Sequence, residues 1–274
     1  MIMQQALSLL KSILIKKELR MSGIDKPVSV PVADCSFCPF RGKTLLMGRC
    51  MPGDTCVTAE SGRQIDRFFR INPGYAEHYL NDRFWERRAI AVRYAPQKSL
   101  TQLIHDDDEV VRRAVAYRLP PTQLSALIND PDREVRMTVA DRIPTEELET
   151  LANDPDYIVR LTVARRLPQG RLFRLIRDKD SEVRKVVAER LPEVSLGLMV
   201  HDDAPEVRRL IAERMSPENA VTLLNDPDWV VRYIAVQRVP LETLTCLLDD
   251  PEADVRAAVE ARLSNTPPSA EANE

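Results

Sequence analysis

Cys35, Cys38, Cys50 and Cys56 fall within 22 residues, spaced C-x2-C, then eleven residues, then C-x5-C, while the fifth cysteine, Cys246, stands alone far downstream. Thiolates two residues apart can ligate one metal centre from a single turn, a bite shared by zinc and iron–sulfur sites. A zinc ribbon more often closes with a second C-x2-C, so the five-residue spacing tilts the reading toward iron–sulfur and keeps zinc as the alternative. Cys38-Pro39 matches the Cys-Pro that ends ferredoxin cluster runs, and four cysteines suit a [4Fe-4S] cluster, whose net charge with its thiolates is about -2. Arg41, Lys43, Arg49 and Arg63 are nearby to offset that charge, and Gly42, Gly48 and Gly53 with Pro39 and Pro52 supply turns for a loop-built site.

Other chemistry is missing from the pattern. There is no Gly-rich phosphate loop, no Ser/His/Asp order and no pair of catalytic carboxylates, so the expectation is a non-enzymatic protein. His105 and His201 take a place where comparable segments carry Asn129, Asn153 and Asn225, and read as loop residues rather than ligands. No apolar run reaches the roughly 20 residues that span a bilayer. The opening stretch MIMQQALSLLKSILIKK has an apolar stripe of Met3, Leu7, Leu10 and Leu14, but neither a basic start nor a small-residue cleavage site. It reads as a helix that covers one end of a larger structure, without membrane contact, in a cytoplasmic protein whose clustered thiols bind metal instead of forming disulfides. Net charge is -3 and unevenly spread: residues 1–80 hold 11 Lys+Arg against 7 Asp+Glu, leaving 28 against 35. An acidic remainder makes nucleic acid a less favoured partner than protein.

After the cysteines the chain is built from repeats. Val-Arg arginines recur at 112, 136, 160, 184, 208, 232 and 256, always 24 apart, and Arg88 begins the series, giving eight copies of D-P-D-x-x-V-R-x-x-V-A-x-R-L-P-x-x-x-L-x-x-L-I-N. Fixed-period self-similarity marks a solenoid, in which each unit buries its apolar face only by stacking on the next. Val135, Val139, Arg142 and Ile143 lie at helical spacing and Pro144 stops them, so the first half of each copy is an α-helix of about three turns, with Pro131 in its first turn. Leu148, Leu151 and Ala152 leave room for only one or two further turns, of 3₁₀ type. Twenty-four residues are too few for the paired helices of tetratricopeptide or HEAT units, and no L-x-L alternation supplies a strand. The expectation is therefore all-α: residues 1–72 an N-terminal helix and four-cysteine module, 73–264 a half repeat plus eight repeats, and 265–274 a disordered tail.

The repeated aspartates, six residues before each Val-Arg arginine, read as helix capping and ion pairing between copies rather than an anion groove. The second arginine column, from Arg118 to Arg262, reads as cations suited to the ends of their own helices. Trp85, Tyr157 and Trp229 share one repeat position and are the candidate partner-binding residues.

Together the repeat and the C-x2-C-x11-C-x5-C module resemble the leucine-rich repeat variant iron–sulfur protein family, over residues from about 20 to 264. That resemblance implies alternating α and 3₁₀ helices in a right-handed superhelix. It also implies a [4Fe-4S] cluster bound by Cys35, Cys38, Cys50 and Cys56. A metal site without catalytic groups in a chain with a long uninterrupted repeat surface then reads as electron transfer or redox sensing combined with macromolecule binding by the repeats. Departures are local: Met215-Ser216 and Leu263-Ser264 lose the proline, Ala220 replaces a leucine and Tyr94 replaces an arginine.

Overall fold

In the computed structural model, which describes residues 30–264, each 24-residue period becomes one α-helix and one short 3₁₀ helix, and there is no strand among the described residues. The expected N-terminal covering helix and C-terminal disordered tail lie outside the described residues. The chain divides between Asn72 and Pro73 into two compact units.

Among the described residues of the first unit there is one α-helix, α1 (Gly62–Ile71). The second opens with the 3₁₀ half repeat Pro73–Tyr79 and continues through α2 (Trp85–Tyr94), α3 (Glu109–Arg118), α4 (Arg133–Arg142), α5 (Tyr157–Arg166), α6 (Ser181–Arg190), α7 (Pro205–Arg214), α8 (Trp229–Val236) and α9 (Ala253–Ser264). Successive helices from α2 to α9 pack on one another. The 3₁₀ segments between them include Pro121–Leu127, Gln169–Leu175 and Leu241–Leu247. Where Ser216 stands in place of proline, its hydroxyl accepts from the Asn219 amide and starts a turn of α-helix, Pro217–Ala220, before the 3₁₀ segment.

The consensus apolar positions form the core. In the fourth repeat Val159, Val163, Ala164, Leu167 and Leu172 have no accessible surface and Leu175 keeps 2%. Burying each valine or leucine contributes about 1.5–3 kcal/mol, so repetition replaces a single globular core with a continuous one.

The two aspartates of D-P-D have separate jobs. The second caps the helix: Asp132 accepts from the Glu134 and Val135 amides, and Asp108, Asp156, Asp180 and Asp228 cap likewise. Pro131 thus lies two residues before the first helical residue, outside the first turn where the sequence pattern placed it; the capping carboxylate needs the extended backbone between them. The first aspartate receives an arginine from the preceding repeat. Arg160 Nε donates to Asp178 Oδ2 at 2.7 Å and Nη2 to Asp178 Oδ1 at 2.8 Å, while Nη1 donates to the carbonyls of Asp154 (2.8 Å) and Pro155 (3.2 Å). Asp178 also accepts from the Asp180 amide at 2.9 Å. The same fork joins Arg88–Asp106, Arg112–Asp130, Arg136–Asp154, Arg184–Asp202, Arg208–Asp226 and Arg232–Asp250. These guanidiniums are already bidentate to carboxylates, which leaves the ladder structural.

The second arginine column reaches across repeats instead of serving its own helix end. Arg166 Nη1 donates to Ala140 O at 2.7 Å and Nη2 to Ile143 O at 2.9 Å; Arg142, Arg190 and Arg214 make the same contact to Ala116, Ala164 and Ala188. The last turn of a helix has open carbonyls, and here the next repeat satisfies them.

Candidate metal centre

The four cysteines sit in loops held by α1. Ile65, Phe68 and Phe69 are fully buried, and the Phe40 ring lies 6.0 Å from that of Phe68. Two buried amides tie the loops down. Gln64 Nε2 donates to Pro31 O at 2.8 Å, and Asn72 Nδ2 donates to Arg49 O at 2.9 Å, just before Cys50.

Local geometry sets each thiol. The Ser36 hydroxyl and then the Ser36 amide, at 2.8 Å, hydrogen-bond to Asp34 and hold its carboxyl below the ordinary range, and this opens the turn in which the Cys38 amide donates to Cys35 O at 3.3 Å. The Arg41 amide then donates to Cys38 O and starts a π-helical segment, Arg41–Leu45, closed by the Arg49 amide on Thr44 O at 2.8 Å. Gly48, at φ +68°, leads out of that turn toward Cys50. Gly53, at φ +83°, allows the 51–55 turn in which Met51 and Thr55 exchange amide bonds of 2.8 Å, delivering Cys56. Gly42, grouped with these glycines as a turn residue, instead lies inside the π-helical segment.

Cys56 is buried; its amide donates to Gln64 O at 3.2 Å and its Sγ is 3.2 Å from Thr58 Oγ1. Cys35, Cys38 and Cys50 are half-buried. Burial, then the charges of Cys56, Cys38 and Cys35, push the Cys50 thiol up to about 11, and a hydrogen bond with Cys56 adds to this. All four thiols therefore share one neighbourhood. Among the described residues no three Cys, His, Asp or Glu side chains converge as a ligand set for one ion. Cys246 is exposed, with its Sγ donating to Thr243 O at 3.2 Å, and His105 and His201 are exposed loop residues.

Trp85, Tyr157 and Trp229 are the first residues of α2, α5 and α8, one on every third repeat, and are 37–42% exposed. The sequence pattern did not single out Gln64 and Asn72, because a buried amide tying two loops together leaves no periodic signal. It also gave no role to the apolar residues interleaved with the cysteines; their exposure appears only in the fold.

A stack of α/3₁₀ repeats, preceded in the chain by a loop module with four cysteines, defines a helical-repeat protein with a cysteine-rich N-terminal unit. Residues 31–78 match the family described as LRV protein FeS4 cluster, and residues 110–132, 133–156 and 158–180 match the leucine rich repeat variant. A solved structure described as a leucine-rich repeat variant with a novel repetitive protein structural motif is 61% identical, with a TM-score of 0.79 over 85% of this chain and 99% of that one. An uncharacterized 27.7 kDa protein in the nifB 3′ region of Rhodobacter capsulatus is 36% identical over 87 residues, 32% of this chain and 35% of that protein, so the match spans about a third of that relative. The chain belongs to the leucine-rich repeat variant family and carries its iron–sulfur module.

No helix among the described residues is long and apolar enough to cross a membrane.

Proposed function

We propose that Cys35, Cys38, Cys50 and Cys56 hold a [4Fe-4S] cluster in a non-enzymatic, cytoplasmic protein that carries or senses single electrons and binds a macromolecule on its repeats. The observation that carries this is that all four cysteines lie within residues 31–78, the span that matches the family described as LRV protein FeS4 cluster. A zinc ion with Zn–S bonds of about 2.3 Å needs its four sulfurs about 3.8 Å from one another. A cubane instead takes one thiolate on each of its four irons. When bound, the cluster supplies a one-electron couple. The chain's part is to deliver four thiolates, each giving up its proton on ligation, from loops fixed by Gln64, Asn72 and the two positive-φ glycines.

Anaerobic purification, metal and sulfide analysis, and EPR before and after dithionite test the reading. About four iron and four sulfide per chain with a reducible signal is the expected result. Stoichiometric zinc without sulfide overturns it.

A second reading, in which the metal only staples its loops, draws on one observation: between Val30 and Cys56 only Thr44, Thr55 and Cys56 are buried. So small a core favours a covalent or metal brace. Cluster loss that melts these loops, in a protein whose cluster has no accessible couple, selects that reading. For the repeats, we assign partner contact to Trp85, Tyr157 and Trp229, because exposed aromatic anchors at a regular interval suit a protein surface. A salt-dependent nucleic-acid shift undiminished by W85A/Y157A/W229A overturns that assignment.

A further inference from the structure

Large apolar side chains left outside the core are concentrated around the cysteines. Val30, Val32, Phe37, Leu46, Met47 and Met51 are exposed, from 48% at Val30 to 92% at Phe37. Phe37 lies between Cys35 and Cys38, and Met51 directly follows Cys50. Val32 lies against the 51–55 turn, its Cγ2 3.6 Å from where a Cβ on Gly53 would stand. Arg41, Lys43, Arg49 and Arg63 are exposed in the same unit, and none forms an ion pair among the described residues; the ion pairs there belong to Arg67 with Asp54 and Arg70 with Asp66.

We propose that these apolar side chains, with Arg41, Lys43 and Arg49 interleaved among them along the chain, are the docking surface for an acidic electron-carrier protein. The inference rests on reading the four cysteines as cluster ligands and names the partner of that site. Exposed phenylalanine, methionine and arginine together are the composition of a protein interface, and six large apolar residues in so short a stretch exceed the scattered exposure of an ordinary surface. Arg41, whose charge acts on Asp34, and Lys43 and Arg49 form no ion pair among the described residues, and carboxylates across an interface would pair with them, speed encounter and fix its orientation. Charge decides against the chain's own first 29 residues as the occupant: their stripe of Met3, Leu7, Leu10 and Leu14 comes with Lys11, Lys16, Lys17, Arg20 and Lys26 against only Glu18 and Asp25. That segment has the same sign as the surface it would cover. A nucleic acid would want a run of cations, whereas here exposed phenylalanine, leucine and methionine alternate with them. With the cluster held by these cysteines, one electron would pass in a productive encounter from the carrier's reduced cofactor to the oxidised cluster, with no bond formed or broken.

The test uses the full cluster-loaded chain with an acidic plant-type [2Fe-2S] ferredoxin as probe and basic cytochrome c as control. Binding is followed by fluorescence anisotropy, and surface accessibility by hydroxyl-radical footprinting. Ferredoxin affinity is expected to fall about tenfold between low and roughly 0.3 M salt, and by a similar factor in the exposed triple variant R41E/K43E/R49E, whose circular dichroism stays unchanged. Met47 and Met51 become protected only in the complex. Affinity indifferent to salt and charge reversal, or tighter binding of cytochrome c, overturns the proposal. So does protection of both methionines in the free protein, which means that its own segment or a second copy already covers them. Tighter binding of single-stranded nucleic acid than of ferredoxin also overturns it. Dithionite reduction monitored by EPR separates the two levels: no reducible cluster removes the parent reading, whereas a reducible cluster without ferredoxin binding removes the docking surface alone.

Discussion

Removing the carboxylate of Asp178 tests whether the arginine ladder holds the repeats together. In the wild type, Arg160 and Asp178 share two charge-assisted bonds of 2.7 and 2.8 Å, with side chains 7% and 4% exposed. Asp178→Ala leaves the Arg160 Nε and one terminal nitrogen facing a cavity that water reaches poorly, although the contacts to Asp154 O and Pro155 O remain. Breaking a buried pair by removing one partner costs about 3–5 kcal/mol, a large part of the roughly 5–15 kcal/mol that holds a domain together. Replacing both partners with apolar residues, as in R160M/D178L, removes the stranded charge and is expected to cost less than either single change. Because repeats couple only to neighbours, the central break also splits unfolding into two steps, whereas Asp250→Ala, which removes the partner of Arg232, loosens only the last repeat. Urea unfolding followed at 222 nm measures the costs, and a double-mutant cycle isolates the coupling. A cost below about 1 kcal/mol for Asp178→Ala, within the range of exposed pairs, refutes the argument.

Four further outcomes follow. Cys50→Ser is expected to abolish retention of iron and sulfide, while Cys246→Ser leaves both unchanged, read by metal and sulfide analysis. Gly53→Ala, at φ +83° with only ordinary van der Waals contact to Val32, strains the backbone by about 1–2 kcal/mol and lowers the temperature at which the visible absorbance of the cluster is lost. The Arg232 fork, then the Glu252 amide, hold the Asp250 carboxyl below its ordinary value. The unfolded chain therefore takes up that proton first: this contribution is intact above about pH 4 and drains away as pH falls through the folded value. Asp250→Asn is accordingly expected to flatten the acid limb of thermal unfolding measured between roughly pH 2 and 6.

The repeat period carried the architecture because Val135, Val139 and Leu148 each mark a face that only a neighbour can bury. Division of labour within the polar positions was not legible. Asp130 and Asp132 look alike in a one-dimensional pattern, and only the fold separates a carboxylate that receives Arg112 from one that caps a helix. Arg142 likewise looked like a cation at its own helix end, since the carbonyl it reaches, Ala116 O, belongs to the preceding repeat, 26 residues back. At the metal module the ligand types and spacing stood out at once, but the loops between them have no period to read. The π-helical segment at Arg41–Leu45 and the outward turn of Leu46 and Met47 arise from local sterics and a small core.

The fork also governs how such a molecule can change in length. Every ladder arginine reaches the aspartate 18 residues ahead, so each link closes between one unit and the next. Adding or removing 24 residues leaves every surviving link in register, whereas a single inserted residue between α5 and Asp178 displaces the partner of Arg160 and turns the following apolar faces away from their neighbours. The gene can grow or shrink in whole units like a zip fastener, and is closed to intermediate lengths within the array.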